Sequence, residues 1–313
     1  MTAIELSIII VNWNTRELLA GCLQAIEDSR LKIQDSQSSI CNLQSVFTVV
    51  DNASTDGSAA MVRERFPWVR LIENDKNVGF ARANNQGISE ATGRYVLLLN
   101  SDTEVRPGAL DALIAFMDIH PRAGACGARL LNGDGSVQSA CHPMLTPGRE
   151  FWRLLFLEKL WPRATYPMHK WDTVAPRRVE VIKGACLLLR QEALTQVGPL
   201  DDRYFMYTEE VDVCYRLAQA GWELWYVPAA QVVHYGEASS RQVREEMYLQ
   251  LYRSKLQFYR KFGGEARADH FKRLLRLAYW PRLVVAALGS RLKPSLSAQA
   301  RTYRRLLAEL AEM

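Results

Sequence analysis

The chain has 313 residues, of which 48% are apolar and 23% are charged. This composition is typical of a globular protein with one large or two small domains. Its six cysteines form no CxxC pair, which argues against a zinc knuckle and favours buried thiols in a reducing compartment. The net charge of +5 is uneven, because residues 241–313 carry +10 and residues 1–240 carry −5. The basic C-terminal segment therefore predicts contact with an anionic surface, either a membrane or nucleic acid.

Strands and helices alternate along most of the chain. Apolar runs predict strands at residues 6–11, 46–50, 69–72, 95–99, 123–131, 179–190, 224–227 and 230–233. Helices are predicted at 15–28, 58–65, 81–90, 108–120 and 208–220. Residues 29–45 are predicted to be a surface loop or a frayed helix end, and residues 136–180 an irregular lid or acceptor-binding flap. This order predicts a mostly parallel, doubly wound α/β sheet.

Polar residues follow three of the predicted strands. They are Asn12–Thr15, Asp51–Ser58 and Asn100–Asp102. Because parallel strands present their carboxyl ends to the same edge of a sheet, we expect these segments to lie together. Asp51 can accept hydrogen bonds from a base or a ribose. Asp102 suits a hard divalent ion that also binds water and phosphate oxygens, although a helix cap is the alternative.

Two further segments carry candidate polar contacts. Gly79 permits close backbone approach before a helix that carries Asn84, whose amide can bind a polar ligand or only solvent. Glu209 and Asp212 share a helix face behind an aromatic lead-in, which favours a cleft wall over simple compensation of the helix dipole. His234 ends the last predicted strand and gains importance as a ligand only if it faces Asp102.

These residues resemble glycosyltransferase family 2, whose members are inverting nucleotide-sugar enzymes with the Rossmann-like GT-A fold. The resemblance covers about residues 5–260 and includes His234. It rests on the order and spacing of segments 7–14, 51–58, 77–85, 93–102, 184–189 and 205–216. Within the family, the chain is most similar to bacterial rhamnosyltransferase-like members that build surface polysaccharide.

The resemblance implies a role for each matching residue. Glu210 would be the catalytic base, and Asp102 and His234 would bind the metal. The implied donor-binding residues are Asn12, Asn14, Asp51, Asn52, Asn77, Gly79, Phe80, Asn84, Ser101 and Asp102. The implied acceptor-binding residues are Gly184, Ala185, Tyr207, Glu209 and Asp212. Two motifs depart from the family pattern, since Asn-Ser-Asp lacks the first carboxylate of DxD and Glu210 stands where an Asp is usual.

The implied activity is inverting, metal-dependent transfer of a sugar, with Mg²⁺ or Mn²⁺ as cofactor. The donor would be a nucleoside-diphosphate sugar, with rhamnose a candidate, and the acceptor a saccharide or lipid-linked saccharide in surface polysaccharide synthesis. A membrane-docked protein that binds nucleotide sugar without turnover is the alternative, supported by the departure at Glu210. A nucleotidyltransferase is disfavoured, because Asn12–Thr15 is not the glycine- and lysine-rich loop it would need.

The predicted organisation is a GT-A catalytic domain at 1–240 followed by a basic helical extension at 241–313. The catalytic domain would comprise a nucleotide-binding half at about 1–125 and an acceptor-binding half at about 126–240. In the extension, the longest uncharged run is Leu283–Ser290, far short of the ~20 residues that span a membrane.

The extension therefore predicts a basic amphipathic segment at Phe271–Leu292 lying in an anionic membrane interface. Packing on the catalytic domain or in a homodimer is the alternative. Nucleic acid is not an expected partner, because no groove-reading module is recognisable. The N-terminus shows no signal-peptide pattern, so the predicted location is cytoplasmic, peripheral at the inner face of the plasma membrane.

Overall fold

The computed structural model describes residues 4–34, 44–160, 164–236, 240–290 and 294–313. The chain forms two compact units. Unit 1 contains Met1–Met144, Tyr166–Phe205 and Glu209–Gln242, and unit 2 contains Leu145–Thr165, Met206–Thr208 and Val243–Met313. The predicted boundary at residue 240 lies close to the end of unit 1, but residues 145–165, expected in the catalytic domain, belong to unit 2.

Unit 1 is built from alternating strands and helices, as the sequence pattern predicted. Its strands are β1 (Ile4–Asn12), β2 (Gln44–Asp51), β3 (Arg70–Glu73), β4 (Tyr95–Asn100), β5 (Thr103–Val105), β6 (Ala123–Leu131), β7 (Cys141–His142), β8 (Arg177–Arg178), β9 (Val181–Ile182), β10 (Cys186–Arg190) and β11 (Glu223–His234). Its helices are α1 (Arg16–Gln34), α2 (Ser58–Arg65), α3 (Phe80–Ser89), α4 (Ala109–Ile119), α6 (Gln191–Val197) and α7 (Glu209–Gln219). α5 lies in unit 2.

The main sheet has the strand order β3-β2-β1-β4-β10-β6-β11-β5, with β8 paired to β11. Strands β3, β2, β1 and β4 are parallel neighbours. β10 is antiparallel to both of its neighbours, β4 and β6. The prediction of a mostly parallel α/β sheet is therefore confirmed, and the inserted antiparallel strand is a feature that the apolar pattern did not reveal.

The core of unit 1 lies around β4. All five residues from Tyr95 to Leu99 are buried, which matches the continuous apolar run that the sequence shows there. Leu97 is in register with Ile8 of β1 and with Leu188 of β10. A strand with such neighbours on both sides is held firmly, so the polar residues that follow it have a fixed starting point.

The predicted strands at 224–227 and 230–233 are wrong as separate elements, because β11 runs continuously from Glu223 to His234. Its pairing with β6 shifts between Val227 and Gln231, around Pro228. Proline has no backbone N–H to donate to a ladder, so a bulge accommodates it without ending the strand.

Other differences concern element boundaries. The run predicted as one strand at 179–190 forms two strands, β9 and β10. α6 was not predicted, and α5 lies within the stretch expected to be irregular. α1 extends to Gln34, and residues 35–43 of the predicted surface loop lie outside the described residues.

Unit 2 is helical, with α5 (Pro147–Leu154), α8 (Arg244–Gly289) and α9 (Pro294–Glu309). α8 is interrupted at Gly264, whose φ of 72° is outside the helical range. α5 packs on α8, and α8 packs on α9. Among the described residues, the structure has no helix with both the length and the apolar character needed to cross a membrane.

Candidate active site

The carboxyl ends of β1, β2 and β4 lie side by side in unit 1. Asn12 of β1 is in register with Asp51 of β2, and Val11 is in register with Asn100 of β4. The sequence predicted this meeting of polar strand ends at one edge of the sheet. Asp51 and Asp102 are both buried there. Two carboxylates held near one sheet edge are the starting point of the candidate site.

Hydrogen bonds fix the orientation of Asp51. Asn12 Nδ2 donates to Asp51 Oδ1 at 3.1 Å, and the backbone N–H of Ser54 donates to Asp51 Oδ2 at 2.9 Å. Thr15 Oγ1 donates to Asn12 Oδ1 at 2.7 Å and also lies 3.0 Å from Ser101 Oγ. The loop after β1 is therefore bonded both to the end of β2 and to the Asn-Ser-Asp segment after β4.

The loop before α3 is shaped by amide side chains. Asn52 Oδ1 accepts from the backbone N–H of Val78 at 2.9 Å, and Asn52 Nδ2 donates to Asn77 Oδ1 at 2.8 Å. Asn77 Oδ1 also accepts from the backbone N–H of Gly79 at 3.0 Å. These bonds give Asn52 and Asn77 a role in loop shape, and direct contact with a donor stays a prediction.

Asn14 and Asn84 likewise bind neighbouring backbone. Asn14 Oδ1 accepts from the N–H of Thr55 at 2.7 Å, and Asn14 itself has a φ of 52°. Asn84 is buried, and its Nδ2 donates to the carbonyl of Phe80 one helical turn earlier at 2.9 Å. Asn14 therefore joins two loops, and Asn84 stabilises the start of α3. Their predicted donor contacts remain predictions.

Gly79 and Phe80 lie against the segment that precedes α7. The backbone N–H of Phe80 donates to the carbonyl of Phe205 at 2.6 Å. Gly79 has a φ of 90°, and a Cβ placed there would lie 2.6 Å from that same carbonyl oxygen. Only glycine fits both the conformation and the space. The close approach predicted at Gly79 therefore exists, and its observed partner is another part of the chain.

Asp102 and His234 face each other. This is the arrangement in which the sequence predicts that His234 gains importance as a ligand. His234 Nε2 lies 3.3 Å from Asp102 Oδ1. β11 delivers His234 to this place by pairing with β5, so that His234 is in register with Thr103. The backbone N–H of Tyr235 then donates to the carbonyl of Asp102 at 3.0 Å. Sheet pairing and a backbone hydrogen bond together hold the two side chains adjacent.

Gln138 orients the imidazole of His234. Gln138 Nε2 donates to Asn132 Oδ1 at 2.9 Å and to the carbonyl of His234 at 3.1 Å. Its Oε1 therefore faces His234 Nδ1, at 2.6 Å, and must accept a proton from it. In a neutral imidazole this leaves the Nε2 lone pair beside Asp102.

These side chains fit a divalent ion. The lone pair on His234 Nε2 and the oxygen of Asp102 are both electron donors, and a cation between them would satisfy both. Asn100 Oδ1 is buried and has no hydrogen-bond partner among the described residues, while Asn100 Nδ2 lies 3.3 Å from His234 Nε2. The described residues contain no cluster of three His, Cys, Asp or Glu side chains. An ion here would therefore complete its shell with water and phosphate oxygens, as Mg²⁺ commonly does.

Glu210 is connected to this region through Gly184 and Ala185. The backbone N–H of Asn100 donates to the carbonyl of Ala185 at 3.1 Å. A Cβ placed on Gly184 would lie 3.8 Å from the Cβ of Glu210. Burial lowers the pKa of the neighbouring Lys183, and the Glu210 carboxylate partly opposes that shift. Glu210 is therefore next to the segment that contacts the end of β4, and next to a cationic group.

Glu209 and Asp212 are buried in the first turns of α7. Burial raises the pKa of Glu209 well above its ordinary value, and the charge of Glu210 adds to the shift. The Asp212 carboxylate accepts hydrogen bonds from Tyr204 Oη at 3.2 Å and from Arg216 Nε at 2.6 Å. Because this carboxylate is buried and bonded within the chain, it anchors the segment before α7, and the predicted acceptor contact of Asp212 remains a prediction.

Tyr207, also predicted to bind the acceptor, belongs to unit 2 with Met206 and Thr208. Both Tyr207 and Thr208 have positive φ angles, 67° and 73°. Such angles are uncommon for residues other than glycine, rarest for a β-branched residue such as Thr208, and mark a strained backbone. The acceptor contact at Tyr207 remains a prediction.

The sequence missed Gln138 and the second function of Thr15. Gln138 lies in the stretch interpreted as irregular, and a single glutamine after a turn has no distinguishing pattern. Thr15 was interpreted as a helix cap, but it also links Asn12 to Ser101. Only the pairing of β1 with β4 brings these positions together.

A family model described as glycosyl transferase family 2 matches residues 7–183, more than half of the chain. The chain belongs to glycosyl transferase family 2. The matched region contains Asp51 and Asp102, whereas Glu210 and His234 lie beyond its end. The family match therefore includes the strand ends that carry Asp51 and Asp102 and ends before α7 and β11.

Several relatives of known description are similar to the chain. The N-acetylglucosaminyl-diphospho-decaprenol L-rhamnosyltransferase of Mycobacterium tuberculosis is 36% identical over 201 residues, which cover 60% of this chain and 65% of that protein. The rhamnosyltransferase WbbL of Escherichia coli is 40% identical over 70 residues, 22% of this chain and 25% of that one. The O-antigen biosynthesis protein RfbC of Myxococcus xanthus is 29% identical over 199 residues, 62% of this chain and 15% of that one. The match thus spans less than two thirds of each relative.

Two solved structures show the fold. GalNAc-T7 with UDP, GalNAc and Mn²⁺ matches with a TM-score of 0.54 and 18% identity, covering 74% of this chain and 44% of that one. The mannosyltransferase PcManGT of Pyrobaculum calidifontis, in complex with GDP-Man and Mn²⁺, matches with a TM-score of 0.50 and 18% identity, covering 98% and 86%. At this identity the comparison is one of fold, and it confirms the predicted GT-A architecture.

Proposed function

We propose that the protein is an inverting, metal-dependent glycosyltransferase of surface polysaccharide synthesis. It would move a sugar, with rhamnose the first candidate, from a nucleoside diphosphate to a saccharide or lipid-linked saccharide. The observation that best supports this proposal is the Asp102–His234 pair, with 3.3 Å between Oδ1 and Nε2. This pair lies at the strand ends that also hold Asp51. The name of the mycobacterial relative, a rhamnosyltransferase acting on a diphospho-decaprenol acceptor, supports the sugar and the acceptor class.

On the donor side, Asp51 would bind the nucleoside and Asp102 and His234 would hold Mg²⁺ or Mn²⁺. The ion would stabilise negative charge on the departing diphosphate, a contribution of roughly several kcal/mol. Asn12 and Thr15 keep Asp51 and the Asn-Ser-Asp segment in fixed relation, so the two halves of the donor would meet a preorganised site.

On the acceptor side, Glu210 would remove the proton from the attacking hydroxyl. The acceptor oxygen then bonds to the anomeric carbon while the bond from that carbon to the diphosphate oxygen breaks, and attack from the opposite face inverts the configuration. Gly184 has no side chain beside Glu210, which leaves room for the acceptor. Glu209 is buried and would support the helix start rather than contact the acceptor.

Glu210→Gln tests this assignment. We expect the rate of transfer to fall by ~10²–10⁴-fold, because a general base is lost, while the dissociation constant of the donor stays unchanged. The measurements are nucleotide release in the presence of acceptor and donor titration by calorimetry. Glu192→Gln, at an exposed carboxylate on α6, is the matched control.

A Glu210→Gln variant with a rate within about threefold of wild type would reject Glu210 as the base. If the wild-type protein binds the donor but none of the acceptors tested causes it to release nucleotide, the result would support the alternative of a protein that binds nucleotide sugar without turnover. The donor itself can be identified by thermal shifts with UDP-, GDP- and dTDP-sugars, each with Mg²⁺ or Mn²⁺, since a bound ligand raises the unfolding temperature.

We also propose that α8 lies in the interface of an anionic membrane at the cytoplasmic side. Leu277, Trp280, Val284 and Leu288 are spaced for one helix face, and all four are exposed, Trp280 by 58% and Leu288 by 74%. Arg276, one residue before this face, is also exposed. An apolar stripe with tryptophan and flanking arginine is typical of interfacial helices.

Flotation with vesicles tests the membrane contact. Wild type should float with phosphatidylglycerol vesicles more than with phosphatidylcholine vesicles, and the double variant Trp280→Glu, Val284→Glu should not float. Ile119→Glu, at an exposed apolar residue of unit 1, is the control. Wild type that stays off both vesicles and sediments as a dimer would instead favour the homodimer alternative.

A further inference from the structure

Unit 2 contains a cavity of about 440 Å³ to which the proposed transfer chemistry gives no role. α5, the segment that follows it, α8 and α9 all contribute to its wall. Two arginines and four tyrosines dominate the lining: Arg153, Arg282, Tyr248, Tyr252, Tyr279 and Tyr303. A cavity of this size with convergent polar groups is typical of a ligand site.

The charge of the cavity wall is positive near α5. Glu150 is buried and accepts from Arg153 at 2.7 Å and from Lys255 at 2.9 Å, so this cluster has two cations for one anion. Glu158 also lines the cavity, but its carboxylate already accepts from the N–H of Ala164 at 2.5 Å and from Thr165 Oγ1 at 2.8 Å. Among the described residues, the three cations Arg153, Lys255 and Arg282 therefore exceed the two carboxylates Glu150 and Glu158 by one positive charge.

Arg282 is held in place without a carboxylate partner among the described residues. Its guanidinium donates to the carbonyl of Leu154 and lies over the rings of Phe156, at 4.7 Å, and Tyr279, at 4.9 Å. These contacts fix the plane of the guanidinium but do not neutralise it. A planar, oriented guanidinium is well suited to bind phosphate oxygens through two parallel hydrogen bonds.

The tyrosine hydroxyls add donors to the same cavity. Tyr279 Oη bonds to both Tyr248 Oη and Tyr252 Oη, the latter at 2.5 Å. Two such bonds use two of the three hydroxyl protons, which leaves the third proton for another acceptor. Burial raises the pKa of Tyr248 and of Tyr252, so these groups stay protonated donors.

An apolar edge adjoins this polar wall. Phe156 lines the cavity, stacks against Arg282, and is 62% exposed, and its neighbour Leu155 is 37% exposed. Exposed apolar side chains beside an anion-binding wall match a ligand in which a phosphate group joins a hydrocarbon chain. A free sugar or a free phosphate would use only one of these two surfaces.

We propose that the cavity binds the diphosphate of a prenyl-diphosphate-linked acceptor, with Phe156 and Leu155 against the start of the prenyl chain. The identification of this lipid as the acceptor rests on the proposed function. Binding of the lipid diphosphate does not require turnover, so it can be measured separately.

Calorimetric titration of the full chain with farnesyl diphosphate, below its micelle concentration and without divalent metal, tests the proposal. We expect Arg282→Gln to raise the dissociation constant by at least ~10-fold, because a charge-assisted hydrogen bond is lost. The dissociation constant of Arg282→Lys should lie between those of wild type and Arg282→Gln, since lysine keeps the charge but lacks the planar guanidinium. Arg304→Gln, at an exposed arginine beside Tyr303 on α9, should match wild type within about twofold.

Two further ligands distinguish the sources of phosphate. Inorganic diphosphate should bind more weakly than farnesyl diphosphate, and farnesol more weakly still. Equal binding of inorganic diphosphate would overturn the lipid assignment, and equal binding of farnesol would overturn the anion site. An Arg282→Gln protein that is folded by circular dichroism and binds farnesyl diphosphate like wild type would overturn the proposal as a whole.

If Arg282→Gln does not fold, Tyr303→Phe removes a lining hydroxyl and should weaken farnesyl diphosphate binding, while unchanged binding would count against the site. Sugar transfer is assayed separately. A protein that binds farnesyl diphosphate through Arg282 but transfers no sugar would refute the proposed function and keep this site. A protein that transfers sugar but whose binding of farnesyl diphosphate is unaffected by Arg282→Gln would refute this site and keep the proposed function.

Discussion

Gln138 Oε1 accepts a hydrogen bond from His234 Nδ1 over 2.6 Å. The other end of the Gln138 amide donates to Asn132 and to the His234 carbonyl, so the amide has a single orientation that satisfies all its partners. The imidazole is thereby held in the tautomer that turns the Nε2 lone pair towards Asp102. A histidine held in this way would not have to reorient before binding the proposed metal ion.

Gln138→Met should weaken Mn²⁺ binding by ~10–100-fold, the usual effect of losing a residue that orients a ligating histidine. Free Mn²⁺ can be measured by electron paramagnetic resonance in the presence of a nucleoside diphosphate. Gln24→Met, at an exposed glutamine of α1, is the control. An unchanged Mn²⁺ affinity would show that Gln138 does not position His234.

Asp102→Asn should abolish measurable Mn²⁺ binding and weaken donor binding by at least ~10-fold, because the carboxylate charge is lost while the shape is kept. Calorimetry with and without Mn²⁺ separates the two effects. Asp269→Asn, at a half-exposed carboxylate of unit 2, should change neither value. Donor affinity that is independent of metal in both wild type and Asp102→Asn would contradict a metal-bound diphosphate.

Asp212→Asn should lower the free energy of unfolding by ~3 kcal/mol, because it breaks a buried pair with Arg216. Urea denaturation measures this effect. Asp202→Asn, which breaks an exposed pair with Arg82, should cost less than ~1 kcal/mol. Should Asp212→Asn leave stability unchanged but raise the KM of the acceptor, the result would contradict the anchoring role and support the predicted acceptor contact.

Glu209→Gln should stabilise the protein more at pH 8 than at pH 5. Burial raises the pKa of Glu209 above the ordinary 4.5, so the folded state holds a proton that the unfolded state releases. Stability of the wild type therefore falls as pH rises from about 4.5 to the folded-state pKa, and the amide removes this loss. Denaturation midpoints of both proteins across this range test the sign. A constant difference between them would mean that Glu209 titrates alike in both states.

The strand ends of unit 1 were predictable because their signals are local. A continuous apolar run followed by Asn100–Asp102 indicates a buried strand with chemistry at its end, and the parallel pairing of β1, β2 and β4 then brings these ends together. The position of His234 beside Asp102 needed more than a local pattern, since it depends on β11 continuing through Pro228 to reach β5.

Other features could not be predicted from the local sequence pattern. β10 is as apolar as a parallel strand, so nothing in its composition shows that it runs against β4. Asp212 has the spacing of a cleft residue, yet Tyr204 and Arg216 enclose it. The tyrosines of the unit 2 cavity come from α8 and α9, and residues 145–165 join them only through folding. For β10 and for the cavity tyrosines the decisive partners are remote in sequence, whereas the partners of Asp212 are near in sequence and it is the burial of Asp212 that the spacing does not show.

The backbone hydrogen bond from the N–H of Phe80 to the carbonyl of Phe205 connects the loop of Asn77 and Gly79 to the segment before α7. A nucleotide that reshapes this loop must carry Phe205 with it. We therefore expect compulsory-order kinetics in which the donor associates first. Product inhibition by the nucleoside diphosphate would then be competitive against the donor and noncompetitive against the acceptor.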